Sequence, residues 1–134
     1  MSKATATRAR PLSPHLGIYR PPITMTMSIV HRITGGALYF GTLLVAWWLI
    51  AAATSEHYFD FVNMIFGSWI GRLVLLGYSW ALIHHMLGGI RHLIWDTGAG
   101  LEKDTASRIA WATIVCSVSL TVLLWIAGYA ARGF

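Results

Sequence analysis

The stretch ITGGALYFGTLLVAWWLIAAATS, residues 33 to 55, decides the fold. It contains no charged side chain, and its length suffices to cross a hydrocarbon core, which takes roughly 20 helical residues. The rest of the chain has the same character. Of its 134 residues 56% are hydrophobic and only 11% are charged, whereas soluble domains carry roughly 25% charged residues. The sequence therefore predicts an all-α membrane protein.

Two further apolar runs, residues 73–90 and 109–131, are each bracketed by arginines and predict two more spans. We therefore expect residues 28–131 to form a three-helix transmembrane anchor. The loop TGAGLEKDTAS supplies turn-forming residues before the third span, and Asp104, Thr105 or Ser107 is expected to cap that helix.

The segment ahead of the first span, residues 1–27, contains all four prolines of the chain. Proline lacks an amide donor and has a fixed φ, so the proline-rich stretch PLSPHLGIYRPPI, residues 11–23, is expected to be extended rather than helical. Its mixture of apolar and polar residues predicts docking onto partner subunits or the headgroup layer, with a disordered arm as the alternative. No signal peptide is evident, because the first apolar run is too long for one, and the start of the chain is expected to be retained.

Eight of the ten lysines and arginines precede the first span or lie between the second and third spans. Because positive residues stay on the cytoplasmic side, this distribution predicts a cytoplasmic N-terminus. The same clustering accounts for the formal charge of +5 by membrane orientation. It argues against a nucleic-acid partner.

The second predicted span contains the stretch HHMLGGIRH, residues 84–92. Ionisable side chains inside a membrane are costly, and they usually face inward and carry function. At about 100° per residue, His85 and His92 fall within about 20° of each other on one helix face, with Gly89 between them. Such a face could let a flat, bulky group lie against the backbone.

Imidazole beside glycine suggests haem, with His85 as the axial ligand and the glycines leaving room for the porphyrin edge. His92, with Arg91 beside it, would reach the anionic propionates. The alternatives are that the glycines allow close helix packing while the histidines hydrogen-bond across helices, or that the histidines form a proton relay or transport site. His84 is rotated by about 100° from His85 and is the weaker candidate ligand.

A second axial histidine within this chain could only be His31, on another helix. Counting from the flanking arginines, His85 lies roughly 9 Å deeper than His31 at 1.5 Å per residue. A ring held between them would tilt badly. We therefore expect the second axial histidine to come from a different subunit.

The motif SIVHRITGG, residues 28–36, gathers polar groups at the start of the first span. Ser28 and Arg32 are four residues apart and share a helix face, with His31 beside them. An arginine here could serve membrane topology alone. Functionally, Ser28 could donate to a quinone carbonyl while Arg32 stabilises negative charge on the reduced ring, and Gly35 and Gly36 would let a flat ligand or another helix approach.

Taken together, RPLSPHLGIYR, SIVHRITGG and HMLGGIRHLIWDTG resemble the cytochrome b subunit of succinate dehydrogenase, the larger membrane anchor of respiratory complex II. The motifs cover about residues 9 to 98, and the three-span layout covers the rest. The resemblance implies an anchor for the flavoprotein and iron–sulfur subunits, one haem b shared with a smaller anchor subunit that supplies the second axial histidine, and a part of the ubiquinone site. Electrons would pass from the iron–sulfur subunit to quinone, and the chain alone is expected to have no catalytic activity.

The resemblance also implies residue roles, carried over by motif position. His85 corresponds to the family's haem ligand, and nothing carries over to His84. The other implied positions are His92, His31 and Arg32 on the propionate side, and Ser28, Ile29 and Arg32 around the quinone. The short N-terminal segment predicts a bacterial cytoplasmic (inner) membrane protein. A haem-free structural anchor of a membrane oxidoreductase is the competing interpretation.

Overall fold

The computed structural model describes residues 17–131, and within them the chain forms four α-helices and no strand. The helices are α1 (Ile23–Thr54), α2 (Glu56–Gly67), α3 (Trp69–Asp96) and α4 (Lys103–Ala131). Helices α1, α3 and α4 are long and apolar enough to cross a membrane. The predicted all-α membrane protein with three spanning helices is confirmed.

Each long helix extends beyond the span predicted from the charges. Helix α1 begins at Ile23, ten residues before the predicted span, and α3 continues to Asp96, six residues past it. Charged side chains therefore do not mark the helix ends. Pro22 does mark one, because it is the extended N-cap of α1 with φ −64° and ψ 155°. Residues 11–16 of the proline-rich stretch lie outside the described residues. Docking by residues 1–27 stays a prediction.

The connection after the first span is helical, which the sequence analysis did not predict. Ser55 caps α2, because its hydroxyl accepts the amide of Tyr58 at 3.2 Å. The helix then packs back on α1 through Val62, which is fully buried, and through hydrogen bonds from two α1 tryptophans, Trp47 and Trp48. A helix this short is stable mainly through packing against a neighbour. The residues between the first two spans therefore did not by themselves predict a helix.

The expected capping residues of the third spanning helix were wrong. Helix α4 begins at Lys103, so Asp104, Thr105 and Ser107 lie inside its first turns. The amide of Ala106 donates to the carbonyl of Glu102 at 2.8 Å, which places the helix start before all three candidates.

Helix α4 presents a row of small side chains to the bundle. Five residues at helical spacing are buried on this face: Ala106, Ala110, Thr113, Ser117 and Thr121. The buried residues of α3 include Ala81, His84 and Arg91, and His84 contacts Ser117 of this row. Small residues let two membrane helices approach closely, and here they leave room on α3 for two large polar side chains.

Large apolar side chains cover the outside of the bundle. Trp69 is 77% exposed and Tyr39 is 74% exposed, and leucines and isoleucines are exposed along all three long helices. A surface of this kind is stable only against lipid tails or other apolar helices. The bundle is therefore polar inside and apolar outside, as in other membrane proteins that enclose a polar site.

We predict that Ala110→Leu disrupts the contact between α3 and α4. Ala110 is fully buried, so the larger side chain should overpack the contact and lower the unfolding free energy by about 1–3 kcal/mol. Ala112→Leu is the matched control, because Ala112 is exposed on the same helix. Thermal unfolding in detergent, followed by tryptophan fluorescence, compares the two, and equal midpoints would contradict the packing described here.

Candidate functional site

Two histidines from different helices form the centre of the candidate site. The imidazole rings of His31 on α1 and His85 on α3 are stacked, with centroids 3.9 Å apart and planes inclined by 11°. His31 Nε2–H donates to the His85 carbonyl at 3.2 Å, and His85 Nδ1–H donates to the His31 carbonyl at 3.0 Å. The two residues thus hold α1 and α3 together by reciprocal hydrogen bonds.

These bonds give the two imidazoles different chemistry. A carbonyl only accepts, so the proton of His85 is on Nδ1 and its Nε2 carries the lone pair. The Thr34 hydroxyl, 3.3 Å from the same Nδ1, holds the ring further. Within residues 17–131 no hydrogen bond engages His85 Nε2, whereas His31 Nε2 is engaged by the His85 carbonyl. An imidazole fixed through one nitrogen and free at the other is the arrangement of a metal-ligating histidine.

Two glycines allow this contact. A side chain at Gly88 would collide with the His31 ring, and a Cβ at Gly35 would lie only 3.0 Å from Cε1 of His85. Their neighbours Gly36 and Gly89 face open space, with nothing within 4 Å of an added Cβ. Each glycine pair therefore has one member that admits the opposite histidine and one that leaves the helix surface open to another molecule.

The difference in depth expected between His31 and His85 was wrong, since the two rings are in contact at one level of the bundle. His31 lies eight residues inside α1, and His85 lies eleven residues before the end of α3. These distances correspond to about 12 Å and about 16 Å along the respective helices. The expectation failed because it measured depth from Arg32 and Arg91, and neither arginine lies at a helix end.

His84 occupies a separate environment between α3 and α4. It is only 2% exposed, and its Nδ1 lies 3.0 Å from Ser117 Oγ on α4. Its Nε2 is buried without a hydrogen-bond partner in the described part of the chain. As the helical rotation predicted, His84 faces a different neighbour from His85, and it is enclosed by protein.

His92 extends the cluster toward the end of the bundle at which α1 begins and α3 ends, here termed the histidine end. Its ring centroid lies 5.3 Å from that of His31 and 5.1 Å from that of Trp95, with the Trp95 contact edge-to-face. His92 is itself exposed. The structure thus brings together three of the predicted site residues, His31, His85 and His92.

Ser28 and Arg32 form the second predicted pair. The guanidinium of Arg32 donates to Ser28 Oγ at 3.3 Å, as expected for residues four apart on one helix face. Arg32 and Ile29 are exposed, so the pair and the apolar side chain beside it are accessible from outside the bundle. Arg32 directly follows His31 on α1, so this exposed pair adjoins the histidine cluster.

The sequence analysis missed two residues of the site. Thr34 is buried and contacts His85, and its position three residues after His31 on the same helix face was the available signal. Ser117 and its contact with His84 had no signal, because serine is common in membrane helices. Arg91 was named beside His92 and also treated as a span boundary, yet it is only 1% exposed.

One large cavity lies apart from the histidines. It measures about 810 Å³ and lies near the opposite end of the bundle, between α2 and the adjoining ends of the three long helices. Its lining includes Trp48, Asn63, Arg72, Tyr78 and Trp125. The histidine cluster, by contrast, is a surface feature of the α1 and α3 pair that needs a further component to enclose it.

The fold and the site define a class of protein. It is a membrane protein with three spanning helices, in which His31 and His85 lie between two helices whose glycines Gly36 and Gly89 leave the adjoining surface open. A sequence model of the family described as "Succinate dehydrogenase/Fumarate reductase transmembrane subunit" matches residues 6–124. The chain belongs to this family.

Individual relatives agree with this assignment. The chain is 48% identical over 114 residues to the succinate dehydrogenase cytochrome b556 subunit of Paracoccus denitrificans, covering 85% of this chain and 88% of the relative. It is 43% identical over 117 residues to the subunit of the same name from Rickettsia felis, covering 87% and 91%. The cytochrome b560 subunit of Marchantia polymorpha is 38% identical over 120 residues, covering 85% and 87%.

We predict that Gly88→Ala separates the two stacked histidines. The added methyl group meets the His31 ring, so the unfolding free energy should fall by about 1–3 kcal/mol. Gly89→Ala is the control, because its methyl group meets nothing and alanine favours a helix by up to about 1 kcal/mol over glycine. Thermal unfolding in detergent tests this, and a Gly88→Ala midpoint at or above that of Gly89→Ala would contradict it.

Proposed function

We propose that this chain is the larger membrane anchor of a succinate dehydrogenase, and that it binds haem b and forms part of a ubiquinone site. The observation that carries the proposal is the orientation of His85. Its Nδ1–H is held by a backbone carbonyl and by Thr34, while its Nε2 has no hydrogen-bond partner among residues 17–131 and lies close to Gly35, 3.8 Å from the position of an added Cβ. Bacterial relatives and three apolar helices support a place in the bacterial cytoplasmic membrane.

The residues present fit a haem in donor chemistry and in shape. His85 offers a neutral imidazole nitrogen as the axial ligand to the iron, and Gly89 leaves room beside it for a flat group. His92, His31 and Arg32 are proposed to lie toward the propionate side, with His92 and Arg32 as the donors, because the Nε2–H of His31 already donates to the His85 carbonyl. When bound, haem supplies a one-electron carrier, and this chain supplies the ligand and its orientation.

The second axial ligand is expected from another chain. His31 and His85 stack face to face at 3.9 Å, which leaves no space for a macrocycle between them. His31 also uses its Nε2–H to bind the His85 carbonyl. These observations replace the argument from depth and support a smaller anchor subunit that brings its own histidine to the open face of α3.

Quinone is proposed to bind at the face of α1 that carries Ser28, Ile29 and Arg32. Ser28 accepts from Arg32, so its own hydroxyl proton is free to donate to a quinone carbonyl. The permanent charge of Arg32 stabilises the negative charge that develops on the ring as electrons arrive. Ile29 is exposed beside them and provides apolar contact for the ring.

The relatives are named as succinate dehydrogenase subunits, which supports further subunits as partners of this chain. We propose that the flavoprotein oxidises succinate and that the iron–sulfur subunit passes electrons to the quinone held by this chain. The segment 1–27 is proposed to contact those partners from the cytoplasmic side, with the N-terminus inside. In this proposal the chain contributes positions and charges to the reaction, and succinate is oxidised on the flavoprotein.

One observation favours the haem-free anchor as an alternative. The reciprocal bonds of His31 and His85 already give both rings a structural role between α1 and α3. Pigment analysis of the purified complex separates the two functions, since only the first requires iron porphyrin.

We predict that His85→Leu abolishes or strongly alters the reduced b-type absorbance of the purified complex, because the iron loses its nitrogen ligand. His84→Leu is the matched control and should keep that absorbance, since His84 is enclosed between α3 and α4. The reduced-minus-oxidised spectrum is the measurement. An unchanged spectrum in His85→Leu with loss in His84→Leu would move the ligand to His84.

We predict that Arg32→Leu lowers succinate-driven quinone reduction by tenfold or more, because a hydrogen bond to a charged group contributes roughly 1.5–3 kcal/mol. Succinate oxidation with a soluble dye should change little, since the dye bypasses the quinone. Ser28→Ala, which removes only the hydroxyl, should give a smaller loss. Equal losses of both activities in Arg32→Leu would indicate failed assembly instead of a damaged quinone site.

A further inference from the structure

The cavity at the end of the bundle opposite the histidine end has no part in the proposed function. It measures about 810 Å³ and is bounded by α2 and by the adjoining parts of α1, α3 and α4. Ligand pockets in proteins commonly measure about 300–1,000 Å³, so this volume suffices for a large ligand. The cavity is therefore a candidate binding site in its own right.

Defined contacts between helices shape the apolar part of this cavity. The Tyr78 ring of α3 packs against α1 at Gly41, where an added Cβ would collide with the ring. Trp125 of α4 is held by a hydrogen bond from its Nε1–H to Ser79 Oγ at 2.9 Å. Leucine, valine and phenylalanine side chains complete the lining beside these rings. A wall of this composition suits a hydrocarbon chain.

The polar side chains of the cavity offer hydrogen-bond donors. Arg72, the fourth residue of α3, carries a permanent positive charge. Asn63 of α2 accepts the indole N–H of Trp48 on its Oδ1 at 3.0 Å, so its amide N–H groups remain available as donors. Among the described residues that line the cavity none is acidic. The lining therefore favours a ligand that carries a negative charge and hydrogen-bond acceptors.

Arg72 has no anionic partner among residues 17–131. Its guanidinium forms no hydrogen bond or ion pair there, although two acidic residues, Glu56 and Asp60, lie on the adjacent helix α2. Arg72 is also exposed, so an anion from outside the chain can reach it. A charge-assisted hydrogen bond to such an anion is among the stronger contacts that a protein surface can make.

The polar and apolar groups follow the order of a membrane leaflet. Arg72 and Asn63 lie where the bundle ends, on the first turn of α3 and on the short connecting helix. Gly41, which admits the Tyr78 ring, lies thirteen residues before Thr54 at the end of α1, or about 20 Å deeper along the helix. The cavity thus runs from a cationic end at the membrane boundary to an aromatic end within the hydrocarbon core.

We propose that this cavity binds one phospholipid of the leaflet opposite the histidine end. The phosphate accepts hydrogen bonds from Arg72 and Asn63, and an acyl chain lies against Tyr78 and Trp125. Inorganic phosphate would leave the apolar wall uncovered, and a neutral quinone would leave Arg72 without an opposite charge. The inference goes beyond the proposed function, because it requires neither haem at His85 nor quinone at Arg32.

The test counts the phospholipids bound to the complex purified through a tag on this chain. The complex is stripped of lipid in detergent, titrated with phosphatidylglycerol and analysed by native mass spectrometry. Gly128→Leu should bind one molecule fewer than wild type, because Gly128 lines the cavity and its added side chain meets no protein atom at Cβ. Gly77→Leu is the matched control. Gly77 is equally open but lies outside the cavity lining, so this variant should bind as wild type does.

The headgroup contact is tested separately. Arg72→Met should weaken binding of that one phosphatidylglycerol by about tenfold, since a hydrogen bond to a charged group is lost. Arg72→Lys keeps the charge and should bind more tightly than Arg72→Met. Arg108→Met is the control, because Arg108 is exposed on α4 but does not line the cavity, and its affinity should equal that of wild type.

Each remaining outcome decides against the proposal. Equal binding by wild type, Gly128→Leu and Arg72→Met would overturn it, and so would a wild-type complex that retains no phosphatidylglycerol. Displacement of the bound lipid by equimolar ubiquinone would assign the cavity to a quinone instead. If Gly128→Leu does not assemble, equal affinities of Arg72→Met and Arg72→Lys contradict the proposal. A complex without haem would overturn the proposed function and leave this result unaffected.

Discussion

The reciprocal hydrogen bonds between His31 and His85 are the constraint on which the site depends. Each ring donates to the backbone carbonyl of the other residue, so the two helices are fixed in rotation and in height at once. Gly35 and Gly88 make this approach sterically feasible. Because the bonds use His85 Nδ1 and His31 Nε2, they also decide which imidazole nitrogen remains available to a ligand. One pair of contacts thereby sets both helix packing and site chemistry.

The polar groups of the bundle are concentrated toward the histidine end. The half of the bundle where α1 begins contains His31, His84, His85 and Arg91. The small side chains of α4 leave room for His84 and Arg91. Burial of so many polar groups is costly in a membrane, and the cost is offset only if each finds a partner. His84 Nδ1 is paired with Ser117, and the stacked pair is bonded to backbone carbonyls, whereas His84 Nε2 and the three guanidinium nitrogens of Arg91 have no hydrogen-bond partner among residues 17–131. The guanidinium of Arg91 lies over the Trp95 ring instead.

Helix ends were predicted less well than helix faces, for a physical reason. Arginine has a long side chain that can stack on an aromatic ring or lie inside a bundle, as Arg91 does over Trp95, so its place in the sequence does not fix a water boundary. Counting depth from arginines therefore separated His31 from His85, although the two rings touch. The 100° rotation per residue depends only on backbone geometry, and it correctly separated His84 from His85.

The sequence by itself determined the three spanning helices, the shared face of Ser28 and Arg32 and the different orientations of the adjacent histidines, because length, hydropathy and helical rotation are local properties. Only the tertiary structure decided that His31 stacks on His85, that the His31 carbonyl fixes the tautomer of His85, that α2 folds onto α1 and that Arg91 is buried. Each of these depends on how far one helix slides along another. That offset is set by the fit of glycines against rings and of small residues against large ones across an interface, which no single helix contains.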